Sequence, residues 1–187
     1  MACVTLTAEN MLVKIFAAYL MADFLSGVVH WYEDRALVGA SRFAYLNRVR
    51  ADNERHHNQP GYLLRYTWWG NIDTTAPITW AAGVLFAAFG CYFWALVSLF
   101  LGFGNLIHRW AHEPRRRLPR AVYWAQCVGL LQSANHHNGH HFKAGKLVPR
   151  HEARIRYCVI TNWLNPILDR TGFFRLLDGI LTVMRIN

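Results

Sequence analysis

The run P-I-T-W-A-A-G-V-L-F-A-A-F-G-C-Y-F-W-A-L-V-S-L-F-L-G-F-G-N-L-I (77–107) decides the fold, because it holds no charged residue along 31 positions. As one straight helix it would reach about 46 Å at 1.5 Å per residue, beyond a hydrocarbon core of about 30 Å. It is therefore one long tilted helix or two helices turning near Gly90. Histidine pairs flank it, His56 and His57 before it, His108 and His112 after it. For those pairs to meet, the chain must return to the side it left, so a tight hairpin or re-entrant pair is expected.

Working outward, nine of the ten histidines fall into four clusters: S-G-V-V-H-W-Y-E-D (His30), E-R-H-H (His56, His57), H-R-W-A-H (His108, His112) and H-H-N-G-H-H (His136, His137, His140, His141). Neutral imidazole is the commonest ligand for borderline metals. One zinc needs three or four ligands, so nine histidines exceed one site and suit two. His108 and His112, four residues apart, leave one helix face together. Asn105, one turn earlier, could hold a metal-bound water. His137, His140 and His141, extended by His136, splay onto two adjoining faces, which suits a helix ligating both ions. His56–His57 alone would be a solvated pair and His30 alone an interfacial histidine; both gain weight from their company. Asp34 is the only carboxylate near them at helical spacing, either binding metal or orienting His30. Asp23 shares a face with Gly27, His30 and Asp34. An aspartate inside a spanning helix usually serves function, so it is expected to orient a histidine or close the cavity, with a helix-packing hydrogen bond as the alternative. His151 stands apart in P-R-H-E-A-R and is expected to meet a headgroup or support the site, not to ligate.

Hydrophobic residues make up 53% of the 187-residue chain and aromatic residues 14%, which excludes disorder. Eight tryptophans and eight tyrosines suit the interfacial belt of bilayer proteins; an aromatic-rich soluble core is the alternative. Cys3, Cys91, Cys127 and Cys158 form no C-x-x-C pair, so neither a disulfide framework nor a thiolate zinc site is expected. The net charge of +9 is localised in Arg115, Arg116, Arg117 and Arg120, and in Lys143, Lys146, Arg150, Arg154 and Arg156. Beside apolar segments such blocks fit anionic lipid headgroups or an acidic redox partner better than nucleic acid. No serine elbow, catalytic cysteine pattern or phosphate loop supports a hydrolase, kinase or nicotinamide enzyme.

The chain reads as a single domain, 1–187. Residues 1–10 lack the marks of a signal peptide. Residues 12–32 form a spanning-length segment interrupted by Lys14 and Asp23; 33–71 is polar, with a turn at Pro60–Gly61. Residues 118–141 read as one helix with a break conceivable at Gly139. Residues 162–169 and 171–184 look amphipathic, with Phe173, Leu176, Leu177, Ile180 and Leu181 on one stripe, either packed or lying in a membrane plane. Residues 1–10 carry no lysine or arginine, 33–75 carry six and 108–187 carry thirteen, so both histidine-bearing regions are expected to be cytosolic and the N-terminus opposite. The expected class is all-α, an integral membrane helical protein with a cytosol-facing histidine-rich di-metal centre and amphipathic C-terminal helices.

The blocks D-F-L-S-G-V-V-H-W-Y-E-D (23–34), H-H (56–57), N-L-I-H-R-W-A-H (105–112), H-H-N-G-H-H (136–141) and Y-C-V-I-T-N-W-L-N-P-I-L-D (157–169) stand in the order seen in the Kua/CarF lipid desaturases, which this chain resembles from about residue 20 to 177. That family includes plasmanylethanolamine desaturases, which form the vinyl-ether double bond of plasmalogens, and a plant branch acting on an acyl chain of plastid phosphatidylglycerol. The resemblance implies two iron ions, O2 as co-substrate, a membrane phospholipid substrate and two electrons from a small carrier such as a b-type cytochrome or ferredoxin. It implies metal ligation by His30, His56, His57, His108, His112, His137, His140 and His141, and more loosely a role for Asp34 and Asn105. It also implies the endoplasmic reticulum in a eukaryote or the inner membrane in a bacterium. The link F-K-A-G-K-L-V-P-R-H-E-A-R-I-R (142–156) is longer and more basic than the family pattern. An acyl-chain desaturase of another phospholipid, a lipid hydroxylase with the same centre, and a metal-binding membrane carrier are the competing readings; a carrier should place its ligands near mid-bilayer in broken helices.

Overall fold

The computed structural model describes residues 8–37 and 39–186. The expectations resting on Cys3 and on the extreme N-terminus lie outside those residues. Helix α1 (Ala8–Trp31) passes into one π-helical turn, Tyr32–Ala36. Together they contain the one stretch, among the described residues, long and apolar enough to cross a membrane, Asn10–Ala36. The polar helix α2 (Ala44–Asn58) carries Asn53, His56 and His57 buried towards its end. A 3₁₀ stretch (Pro60–Arg65) follows, opened by a proline at a position where its missing N–H costs nothing. Then comes the short α3 (Trp68–Ile72), whose Thr67 cap accepts from the Gly70 N–H at 3.1 Å.

The uncharged run folds as a helical hairpin, α4 (Ala76–Ala88) and α5 (Tyr92–Leu101), turning at Gly90 with φ +74°. A left-handed residue there favours glycine. Trp80 Nε1 donates to the Leu99 carbonyl at 3.2 Å, and a Cβ at Gly83 would stand 3.2 Å from Ser98 Cβ, so the arms are closely packed. At 1.5 Å per residue they reach about 20 Å and 15 Å, short of a hydrocarbon core of about 30 Å. α5 lies against α1, where Tyr19 meets Phe100 edge-on at 5.1 Å, around a core of Ala18, Ala22, Val97, Ile107 and Ile160. Helix α6 (Gly104–His112) leaves the hairpin directly and carries His108 and His112.

The single helix expected over 118–141 is two helices, α7 (Arg120–Cys127) and α8 (Ala134–His141). Gly129 (φ +76°) ends the first, and Ser133 caps the second by accepting from the His136 N–H. The link between them pairs with a later segment: Gln132 N donates to Ile160 O at 2.7 Å and Asn162 N to Gly129 O at 3.1 Å. Tertiary backbone pairing has replaced a continuous helix, while Gly139 interrupts nothing. The chain is predominantly helical, as expected, with the addition of a short two-stranded antiparallel ladder, β1 (Phe142–Lys143) with β2 (Lys146–Leu147), turning at Ala144 and Gly145, both at positive φ. Helices α9 (Leu164–Thr171) and α10 (Phe173–Ile186) are divided by left-handed Gly172, φ +71°. The stripe expected on α10 is split. Leu177 and Leu181 pack against a cluster of Trp31, Tyr157, Cys158 and Phe174, whereas Leu176 and Ile180 are exposed.

Candidate metal centre

An extended segment, 157–161, is fastened along α1 by successive side chains of one helix face. His30 Nδ1 meets the Tyr157 carbonyl at 3.0 Å. Ser26 Oγ accepts from Val159 N at 3.1 Å. Asp23 accepts from the N–H groups of Ile160 and Thr161 at 2.9 and 3.0 Å and from the Thr161 hydroxyl at 2.6 Å. Gly27 lets the segment come close, since a Cβ there would stand 2.6 Å from Cys158 Sγ. Asp23 thus touches no histidine. It takes the packing role and fixes the strand whose Tyr157 carbonyl receives His30.

All four histidine clusters converge, and their donors form two groups. The first is His56, His108, His112, His137 and His141; the second is His30, Asp34, His57 and His140; within each group the donor atoms lie within 4.8 Å of one another. In the first, His108 Nε2 is 2.8 Å from His137 Nε2 and 3.4 Å from His112 Nε2, and His141 Nε2 is 3.0 Å from His137 Nε2. A metal about 2.0–2.1 Å from each nitrogen puts neighbouring nitrogens roughly 2.9–3.4 Å apart in tetrahedral or octahedral arrangements. In the second, Asp34 Oδ1 lies 3.2 Å from His57 Nε2, and Oδ2 lies 3.1 Å from His140 Nε2 and 3.7 Å from His30 Nε2. The groups adjoin: the rings of His57 and His141 are 4.7 Å apart and those of His30 and His108 5.4 Å. α8 supplies both, His137 and His141 to one and His140 to the other.

The donor chemistry fits metal ions. Among the described residues, both ring nitrogens of His56, Nδ1 of His57 and Nε2 of His30 are buried without a hydrogen-bond partner. A buried polar group left so is costly, and a cation answers that need for several at once. Burial, reinforced by the neighbouring imidazoles, holds His56, His108, His137 and His141 well below the usual imidazole pKa and His112 at about 3. These rings are therefore neutral at physiological pH, the form that binds metal. Backbone carbonyls orient two rings through the other nitrogen: Tyr157 O for His30 and Ile155 O, at 2.7 Å, for His140. That arrangement turns both Nε2 atoms towards Asp34 Oδ2.

Several sequence expectations meet a different placement. His136 joins neither group; its Nε2 faces Asn165 Nδ2 at 3.1 Å, because three histidines already occupy the inner face of α8. Asn105 donates to Thr74 Oγ1 at 2.7 Å instead of facing the donors. His151, which was not expected to ligate, stands outside both groups, exposed beside Glu152 at 3.8 Å. Arg150, expected in a lipid-facing block, is buried; its guanidinium donates to the carbonyls of Glu33, Asp34 and Leu37, and its Nε to Glu54 at 3.0 Å. The first two carbonyls belong to the π-helical turn and the third to the residue that ends it, so the arginine secures the turn that delivers Asp34. Asn53 was not anticipated either: its Nδ2 donates to Asp34 Oδ1 at 2.6 Å. Only its place one turn before His56–His57 on α2 could have signalled it. π-helical turns of this kind are frequent at functional sites.

Residues 19–185 match the model of the lipid desaturase domain. The chain is 29% identical to Fatty acid desaturase 4-like 2, chloroplastic, of Arabidopsis thaliana, over 90% of this chain and 58% of that one. It is 28% identical to a probable fatty acid desaturase of Acanthamoeba polyphaga mimivirus over 94% and 84% of the two chains. It is 27% identical to plasmanylethanolamine desaturase of Myxococcus xanthus over 92% and 60%. It therefore spans only about three fifths of the plant and Myxococcus relatives. No solved structure matches. With nearly the whole chain matched and its histidines gathered as they are, the protein belongs to the lipid desaturase domain family.

Proposed function

We propose that the chain is a membrane-bound, O2-dependent di-iron lipid desaturase, forming the vinyl-ether double bond of plasmalogens from plasmanylethanolamine. The observation that carries this reading is the pair of adjoining donor groups, five nitrogens in one and three nitrogens with a carboxylate in the other. His56, His108, His112, His137 and His141 would hold one ion, and His30, His57, His140 and Asp34 the other. When bound, iron supplies the redox change that removing hydrogen from an unactivated C–H bond requires and that zinc lacks. The chain's own part is to keep the imidazoles of the first group neutral and to hold the donors of both groups in place, buried away from water, so that the oxidant meets only substrate. Desaturation withdraws two hydrogens with their two electrons. Reducing O2 to two waters takes four electrons and four protons, so a small electron carrier must deliver the remaining two electrons, with two protons from solvent.

The Asn10–Ala36 helix and the re-entrant-length hairpin support a membrane location, and the arginine and lysine distribution supports a cytosolic centre. An acyl chain of another phospholipid is the second substrate reading, favoured by the plant and viral relatives named fatty acid desaturases at equal identity. Lipid profiles of cells with and without the chain, taken by mass spectrometry before and after mild acid, separate the two. Product that disappears in acid is a vinyl ether; an acid-stable double bond assigns the acyl reading, and an added hydroxyl assigns a hydroxylase.

A further inference from the structure

Arg35, one residue beyond Asp34, opens onto a cleft of about 450 Å³ also lined by Arg154, Arg175, Asp178, Gly179 and Thr182. We propose that this cleft binds the phosphate of the phospholipid substrate's headgroup, an inference resting on the phospholipid reading above. The guanidinium groups of Arg35 and Arg154 meet the carboxylate of Asp178 there, and Arg175 adds a third to the lining. Asp178 accepts from Arg35 Nε at 2.9 Å, from Arg154 Nη1 at 2.8 Å and from Trp31 Nε1 at 3.1 Å. Its charge is therefore already engaged, and two of the forks are held in place before any ligand arrives. Arg175 is exposed on the rim and has half-buried Asp169 within electrostatic range. Counting both carboxylates, the three arginines still leave an excess of positive charge. Planar forks in fixed orientation are the side chains best matched to phosphate oxygens.

The form of α10 argues for an amphiphile over a free anion. Arg175, Asp178, Gly179 and Thr182 stand three and four residues apart and so make one stripe, which is the cleft wall. A Cβ built at Gly179 would meet nothing within 4 Å, so the wall is open there. Next to it runs an exposed apolar stripe, with Leu176, Ile180, Val183 and Met184 between 50% and 71% exposed. A phosphate in the cleft thus has apolar surface beside it for the chains. On its third side α10 reaches the centre through rings: Phe174 lies 4.6 Å from Tyr157, which lies 5.1 Å from His140. The cleft and the donor groups are linked by neighbouring residues as well, Trp31 next to His30 and Arg35 next to Asp34. A headgroup held here places the glycerol end of the lipid towards the metal groups.

The test uses the iron-loaded full chain in uncharged detergent, with Arg154→Gln and Arg175→Gln variants. Binding of dihexanoyl phosphatidylethanolamine, of dihexanoylglycerol and of inorganic phosphate is measured, and desaturase turnover is followed on the same samples. Each substitution should weaken phosphatidylethanolamine binding roughly tenfold, the loss of one charge-assisted hydrogen bond. It should leave dihexanoylglycerol binding, iron content and thermal midpoint unchanged. Unaltered phosphatidylethanolamine affinity in both variants overturns the proposal. So does an equal loss for the phosphate-free lipid, which would mark a structural role, or arginine-dependent binding of inorganic phosphate as tight as that of the phospholipid, which would mark a free-anion site. Arginine-dependent phospholipid binding without any turnover supports the cleft and counts against the desaturase reading. Turnover without such binding does the reverse.

Discussion

His136 and His137 are neighbours in sequence with opposite surroundings. His137 is fully buried among His108, His112 and His141, whereas His136 is half-buried and turned to Asn165. Replacing His137 by alanine should abolish activity and lower bound iron, because it removes a nitrogen central to the five-member group. Replacing His136 should leave iron content unchanged; activity and iron measured on the same folded samples decide it, and iron loss in the His136 variant would add that residue to the ligands. Asp34→Asn should cost iron at the second group, since the carboxylate faces three histidines. Asn53→Ala leaves the ligands in place but frees Asp34, and losses of about 10–100-fold are typical of such supports. The members of the two donor groups were legible in the sequence because donor chemistry is carried by residue type and the histidines are few and clustered. Asn53 and Arg150 were not, because an asparagine or an arginine acquires its role only from the carbonyl or carboxylate that tertiary packing brings to it.

Among the elements, the segment 157–161 positions the centre most directly, and Gly27 governs how near it lies to α1. A Cβ at Gly27 would crowd Cys158 Sγ at 2.6 Å and its backbone nitrogen at 3.1 Å. Gly27→Ala should therefore destabilise by about 1–3 kcal/mol, as overpacking does, and reduce activity by displacing the Tyr157 carbonyl from His30. Adding Cys158→Ala should recover part of both; thermal midpoint and turnover of the single and double variants check this. The hairpin and α1 could be read from runs of uncharged residues and one glycine, a local signal. The division between α7 and α8 could not, because residues 128–133 are held in place by backbone pairing with residues some thirty positions later, which helical periodicity does not register. The same holds for the π-helical turn, secured from outside by Arg150.

At the scale of the whole molecule, the convergence of four clusters requires all four to lie on one side of any membrane the chain crosses. Single cysteines at Asn58 and Lys143, in a chain otherwise free of cysteine, should be labelled from the same side of intact membranes, the cytosolic one. Labelling from opposite faces would rule out a shared centre in the membrane-bound protein. Acid should weaken the metal-free protein. Burial and the neighbouring imidazoles depress the pKa values of His56, His108, His137 and His141 below the ordinary 6.5, and that of His112 to about 3. Between those values the unfolded chain binds protons that the folded one does not. Stability from these groups is thus complete above about 6.5 and falls as pH is lowered towards 3. Unfolding midpoints from pH 8 to pH 4 measure the slope, and a metal-free protein no less stable at pH 4 than at pH 8 would contradict the neutral, buried assignment.

The central claim is that two irons occupy the two donor groups and that activity depends on them. Metal content of the purified full chain by elemental analysis, paired with lipid product formed on the same preparation, tests it most directly. The account predicts about two irons per chain, with activity lost on chelation and restored by ferrous iron but not by zinc. Stoichiometric zinc with no iron-dependent activity, or full turnover in an iron-free preparation, would contradict it.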